Sequence, residues 1–139
     1  MRKSGNQEEQ LGQLELTEQI IGAAIAVHRS LGPGFLESVY EEALCIELSH
    51  IGLQFERQHP VAIRYRGLPV GEHRLDLLIE KAVIVELKAA SELLDIHFAV
   101  VRSYMNALDL DDALLLNFAT MPLGIRRVGR GRTEPFPLS

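Results

Sequence analysis

The apolar residues of this chain change period twice, and each change marks a different kind of element. Ile20, Ala24, Val27 and Leu31 recur at helical spacing, and Leu16, Thr17 and Ile21 predict a helix start in which Thr17 caps and the flanking apolar residues staple across it. Gly32-Pro33-Gly34 ends that helix. A second helix is expected from about Leu36 to His50, with Leu36, Val39, Tyr40, Ala43 and Leu44 on one face and Gly52 as its stop. The period then shortens to two. Val61, Ile63 and Tyr65 alternate with Ala62, Arg64 and Arg66, the mark of a half-buried strand, and Gly67 sits where a hairpin turn is wanted. The partner strand is expected over Val70 to Ile79. After the polar break at Glu80-Lys81, Ala82 to Ala89 reads as a strand apolar on both faces until Glu86, hence central. Helical spacing returns with Leu93, His97, Val100, Val101, Tyr104 and Leu108, followed by a short apolar strand over Ala113 to Phe118 and a last one over Gly124 to Val128.

The expected order is therefore α-α-β-β-β-α-β-(β), with no internal repeat. A single domain is placed over 14–128, between a polar, aperiodic arm at 1–13 and a loose tail at 129–139. Composition supports an ordinary folded domain: 139 residues, 47% hydrophobic, 24% charged and no Trp. The apolar run Ile20 to Val27 falls far short of the ~20 residues a membrane-crossing helix needs, and the first ten residues lack the apolar run of a secretory signal. A soluble, cytoplasmic protein is expected. Cys45 is the sole cysteine, which excludes an internal disulfide and a thiolate zinc cage within one chain, and points to core filling. The net charge of −5 argues against coating nucleic acid through bulk electrostatics. The charge is uneven, however, and Arg57, Arg64, Arg66 and Arg74 in one stretch, with Arg126, Arg127, Arg130 and Arg132 in another, are candidate phosphate contacts.

Three charged groups stand where a buried sheet should be apolar. Asp76 interrupts Leu75, Leu77, Leu78 and Ile79, and Glu86 and Lys88 end the run Val83-Ile84-Val85. A carboxylate removed from water must be paired, hydrogen-bonded or bound to a cation. Glu86 and Lys88, two apart on a strand, share a face. A two-residue loop at Glu80-Lys81 would set Asp76 opposite Val85, whereas a three-residue loop or a one-residue bulge sets it opposite Glu86. The second arrangement is expected, because paired Cβ atoms ~5 Å apart let two carboxylates hold one divalent ion. Two carboxylates and a carbonyl, that of Leu87, form an all-oxygen set suited to Mg²⁺ or Mn²⁺. An ion there would polarise a phosphoryl oxygen, with the Lys88 ammonium placed to hold the attacking water and balance developing charge. The spacing Asp-x9-Glu-x-Lys alone recurs by chance and equally describes a salt-bridged strand pair.

Several motifs in order are more specific. Gly34-Phe35-Leu36-Glu37-Ser38-Val39-Tyr40, preceded by Gly32-Pro33 and followed by Asp76-Leu77-Leu78, Ile84-Val85-Glu86-Leu87-Lys88-Ala89 and Leu116-Asn117-Phe118, resembles the bacterial GxxExxY family, which is placed in the PD-(D/E)XK nuclease superfamily. The resemblance spans about Thr17 to Val128. It implies an α/β (α+β) fold with a restriction-endonuclease-like core, α-β-β-β-α-β, in which helices flank a central mixed sheet. It further implies Asp76 and Glu86 as metal carboxylates, Lys88 as the catalytic lysine and Glu37 as an extra acid from the helix before the sheet. Glu37 also lies in a helix first turn, where the dipole favours a carboxylate regardless of any metal. Tyr40, Arg74, His97 and Tyr104 are candidate substrate contacts, although Tyr40 also suits a core aromatic with its hydroxyl at the rim. In the family a Gln stands three residues after the histidine; here that position is Val100. Two functions from different classes follow: a divalent-metal-dependent nuclease acting on DNA or RNA, or a nuclease-fold module that binds nucleic acid or a protein without cutting. Phe98 and Met105, on the other side of the His97 helix, suggest a second apolar face and a homodimer.

Overall fold

Five of six residues are buried in Val83–Lys88 and again in Asp112–Asn117, and strands apolar on both faces must be covered on both. That requirement sets the architecture in the computed structural model, which describes residues 7–131. Among these the order is α1 (Gln7–Leu31), α2 (Glu37–His50), β1 (Phe55–Tyr65), β2 (Leu68–Ile79), β3 (Val83–Lys88), α3 (Asp95–Leu108), β4 (Asp112–Asn117) and β5 (Gly124–Gly129). The strands form one five-stranded sheet in the order β1-β2-β3-β4-β5. All neighbours pair antiparallel except β3 and β4, which run parallel because α3 carries the chain back between them.

Alternation along the central strands splits the core in two. Val83, Val85 and Leu87, with Leu114 and Leu116, pack against Ile20, Ala24 and Val27 of α1 and Leu44 and Leu48 of α2. Ile84, with Ala113 and Leu115, packs on the opposite side against Val101, Tyr104 and Met105 of α3. Cys45 lies buried on the α1–α2 side, and burial pushes its thiol up to about 11, which keeps it protonated and inert.

The structure departs from the expected elements where backbone pairing overrides side-chain pattern. The helix placed from Thr17 begins at Gln7, because the Glu- and Gln-rich residues before Thr17 are strong helix formers even without an apolar stripe. Thr17 is inside α1, and its hydroxyl donates to the Leu14 carbonyl at 2.8 Å instead of capping. Residues 7–13 are thus helical rather than a loose arm; residues 1–6 of that arm and 132–139 of the expected tail lie outside the described residues. β1 starts six residues before Val61, since Phe55, Arg57 and His59 pair with Ile79, Leu77 and Leu75. Its alternation is hidden in the sequence by Gln58, which takes a left-handed φ of 51°. Met105 is fully buried and Phe98 packs against the same core, so the outward apolar face expected of α3 is the face turned to the sheet. The first helix contains no span long and apolar enough to cross a membrane, nor does any other described helix.

The link between α1 and α2 is tied down by Tyr40. Its ring stacks on Phe118 with centroids 4.5 Å apart, and its hydroxyl donates to the Gly32 carbonyl at 2.6 Å while accepting the Phe35 N–H at 3.2 Å. Glu37 follows directly after this clamped turn. Replacement of Tyr40 by Phe keeps the stack and removes both hydrogen bonds, so Tyr40→Phe is expected to lower the unfolding free energy by about 1–3 kcal/mol in urea titration, with an unchanged m-value.

Candidate active site

The turn from β2 to β3 encloses Glu80, Lys81 and Ala82, because Ile79 pairs with Val83. This three-residue connection sets the register: Leu78 faces Ile84, Leu77 faces Val85, and the next positions are Asp76 and Glu86. There the ladder stops and side chains replace it. The Asp76 N–H donates to Glu86 Oε1 at 2.6 Å, and the Leu87 N–H donates to Asp76 Oδ2 at 2.9 Å. Each carboxylate thus satisfies a main-chain donor on the other strand, at the point where β2 and β3 part.

β2 also rotates at this point. Leu75 joins the α3-side core and Leu77 the α1–α2 side, although residues two apart in a regular strand share a face. Asp76 lies between them, beside Gln58 on β1, whose amide donates to Asp76 Oδ1 at 3.4 Å and to Glu41 Oε1 at 2.9 Å. Glu41 in turn accepts from Arg57 at 2.9 Å. Acids from α2 therefore approach the same strand edge from one side while Glu86 and Tyr104 occupy the other.

The electrostatics are those of acids held out of water. Burial first, and the Asp76 carboxylate second, push Glu86 up to about 8; the Asp76 N–H and Lys88 act against the rise, and Glu37 adds to it. Burial also raises Asp76, with Glu41 and Glu37 adding to it and the Leu87 N–H and the Gln58 amide opposing. Tyr104 is pushed up to about 12 by burial and by the fields of Glu86 and Asp76, so it remains a hydrogen-bond donor at neutral pH.

Asp76, Glu86, Lys88, Glu37 and Tyr104 thus share one electrostatic neighbourhood. Other candidates stand apart from it. Tyr40 is buried in the core with both its hydrogen-bonding capacities used by the Gly32–Phe35 turn, which leaves nothing for a substrate. The His97 ring accepts the Leu94 N–H at 2.9 Å and so caps the start of α3. Arg74 is exposed, donating to the Gln58 carbonyl at 3.3 Å and lying 3.6 Å from Glu72. Val100 packs against the α3-side core and supplies no polar group.

Sequence reading missed Gln58 and Glu41, and left Asn117 without a role. Glu41 carries a legible signal, since it follows Glu37 by one helical turn. Gln58 carries none, because its position depends on a β1 segment without alternation. Asn117 is a polar residue closing an apolar strand; buried, it donates to the Ala90 carbonyl at 2.9 Å and accepts the Ala90 and Ala119 N–H groups, both at 3.2 Å. With the Phe118 N–H donating to the Lys88 carbonyl at 2.8 Å, this lock fixes the chain on either side of Ala89.

The donor set fits a hard divalent cation. Glu86 Oε1 accepts the Asp76 N–H, Asp76 Oδ1 accepts only at 3.4 Å among the described residues, from Gln58, and a cation would offset the charge that burial makes costly. No three His, Cys, Asp or Glu side chains among the described residues form a metal cage by themselves.

Because the folded protein holds a proton on Glu86 to about pH 8 while the unfolded chain releases it near 4.5, folding stability falls as pH rises through that window. In chelator, Glu86→Gln, whose amide oxygen can still accept the Asp76 N–H, is expected to melt several degrees above the parent at pH 8, with the gap closing toward pH 4.5. Parallel melting curves across the range would refute the shift.

The fold has a solved counterpart. The crystal structure of SSO0001 superposes with a TM-score of 0.52 at 13% identity over 68% of this chain and 50% of that one, so this chain spans about half its length, and the likeness is one of fold. No curated protein matches the chain. The family model of the PD-(D/E)XK nuclease superfamily matches residues 14–128. That match covers every described strand but the last residue of β5, and with it the forked pair of acids and the lysine beyond: the chain belongs to the PD-(D/E)XK nuclease superfamily.

Proposed function

We propose that this protein is a divalent-metal-dependent nuclease of the GxxExxY type, hydrolysing phosphodiester bonds of nucleic acid at the β2–β3 fork. The observation that carries the reading is the crossed pair itself: two desolvated carboxylates, each accepting a main-chain N–H of the other's strand, beside a lysine. A structural ion pair would place a cation of the protein between such acids, whereas here Lys88 only partly offsets the burial of Glu86.

In this reading Asp76, Glu86 and the main-chain carbonyl of Leu87 would hold Mg²⁺ or Mn²⁺. Held there, such an ion would supply Lewis-acid polarisation of a phosphoryl oxygen and a lowered pKa for a bound water. Lys88 orients the attacking water and balances negative charge on the phosphate. Glu37 adds charge at the cation side, and Tyr104, held protonated, donates a hydrogen bond toward the acids or the substrate. Asn117, acting through the segment after β3, keeps Lys88 in register.

A second reading rests on Val100. An apolar residue where relatives carry a substrate-orienting Gln favours a module that retains the fold and binds without cutting.

Incubation of plasmid, single-stranded DNA and RNA with Mg²⁺ or Mn²⁺ separates the two. Cleavage is expected from the parent, falling at least about a hundredfold in Lys88→Ala and Glu86→Ala. Cleavage that persists in both variants belongs to a contaminant, and a parent inert on all three substrates would leave the binding module. Mn²⁺ is expected to raise the melting temperature, a hundredfold excess over its dissociation constant contributing about 2.7 kcal/mol, and to lose that effect in Glu86→Ala.

A further inference from the structure

β3 pairs with β2 only from Leu77 to Ile79, so the outer part of the β1–β2 hairpin continues alone beyond the sheet. The last buried residue of the ribbon is Val61, paired with the exposed His73, whose ring lies at right angles to that of Tyr104 with centroids 6.1 Å apart. From Arg64 to Arg74 every residue is exposed. Isolated two-stranded ribbons are marginal in water, and this one exposes Tyr65 by 67%, Leu68 by 68% and Val70 by 62%. Its tip is a two-residue turn, since Tyr65 pairs with Leu68, and Arg66 holds a φ of 52° ahead of Gly67 at 79°. Such turns favour Asn or Asp at the first position, and an arginine there is conformationally costly without a packing reason to retain it.

Charge and geometry indicate what the ribbon meets. In a chain of net charge −5, the arm carries Arg64 and Arg66, which form no ion pair among the described residues, while its one acid, Glu72, is occupied by Arg74 at the base. A second copy adding to the ribbon as a strand is opposed by Pro60 and Pro69 and by the register shift after Ile63, which leaves Val70 unpaired. A two-stranded ribbon fits the major groove of B-DNA, about 12 Å wide, whereas the A-form major groove is too narrow. Arm and fork are one strand: Leu68 to Asp76 is eight steps, about 26 Å at ~3.3 Å each, less than one ~34 Å turn of duplex.

We infer that the β1–β2 arm is a duplex-DNA grip, with Arg64 and Arg66 on phosphates and Tyr65, Leu68 and Val70 against the groove, holding the same duplex that the fork engages. The inference rests on the nuclease reading for the substrate at the fork, but the arm's binding is measurable without cleavage.

Fluorescence anisotropy of a short labelled DNA duplex, in chelator, tests it on the full chain. Arg64→Ala/Arg66→Ala is expected to weaken binding about tenfold at low salt and to make the slope of log K against log salt shallower by about 1.8, as two lost phosphate contacts require. Leu68→Ser/Val70→Ser is expected to weaken binding with the slope unchanged. Melting temperatures of both variants should match the parent, since these side chains touch no core. Unchanged affinity and slope in the arginine variant would overturn the inference, as would an equal loss on duplex RNA. A parent dimer that becomes monomeric in Leu68→Ser/Val70→Ser would instead assign the arm to a second copy. Failure of the arm leaves Lys88-dependent cleavage intact, and failure of the nuclease reading leaves arm-dependent binding intact, so the two outcomes are told apart.

Discussion

Where β2 and β3 part, Asp76 accepts the Leu87 N–H and Glu86 accepts the Asp76 N–H, and the sheet depends on this exchange. A buried N–H left without a partner costs about as much as a lost hydrogen bond, so strands that diverge inside a fold must find other acceptors. Carboxylates are the strongest acceptors available, but only when ionised, and burial resists ionisation. The fork therefore balances two demands. The backbone donors favour charge on both acids, while desolvation and mutual repulsion favour a proton on at least one, and burial prevails at Glu86. In the proposed reading, a hard cation at the fork would supply the charge compensation that the protein withholds.

The surrounding fold supplies the rigidity this balance needs. β3 and β4 are buried on both faces, so the strand carrying Glu86 and Lys88 can neither slip nor tilt without opening two cores. Asn117 closes the C-terminal end of β3 by bonding both main-chain groups of Ala90, and Tyr40, stacked on the next residue Phe118, binds both sides of the turn before α2 at that same end. The polar residues of the chain that look most like chemistry divide on this basis. Tyr40, His97 and Asn117 bond main-chain groups and position elements, whereas Asp76, Glu86, Lys88 and Tyr104 share the electrostatic neighbourhood of the fork.

The same division explains what could be read from the chain alone. Alternation and helical stripes report side-chain burial, and they located the two-sided strand at Val83–Lys88 and the stripe of α3 because tertiary packing there agrees with local pattern. The register of Asp76 against Glu86 was legible only as a choice between loop lengths, since the sequence of Glu80, Lys81 and Ala82 does not say which residues turn. β1 was half hidden: Pro60 and the left-handed Gln58 interrupt its alternation, and its pairing with β2 is sustained by backbone hydrogen bonds that leave no trace in hydropathy. Gln58, and with it the bridge between Glu41 and Asp76, disappeared for that reason. Met105 was misread as an outward residue because a stripe has no sign until the sheet gives it one.

Charge distribution adds a constraint that total charge conceals. A net −5 would repel a polyanion if it were spread evenly, yet five acids, Glu37, Glu41, Glu42, Asp76 and Glu86, gather on the fork and on the helix beside it. Within about 10 Å at moderate ionic strength a phosphate chain responds to local groups and not to the total. In the proposed reading a phosphodiester near the fork would meet these acids and need a divalent ion between, whereas along the arm it would meet Arg64 and Arg66, the arm's one acid, Glu72, lying against Arg74. If both proposals hold, attraction at the arm would be independent of the metal, while approach to the fork would be conditional on it. Because one strand, β2, carries both over about 26 Å, contact at the arm would bring the same duplex within reach of the fork.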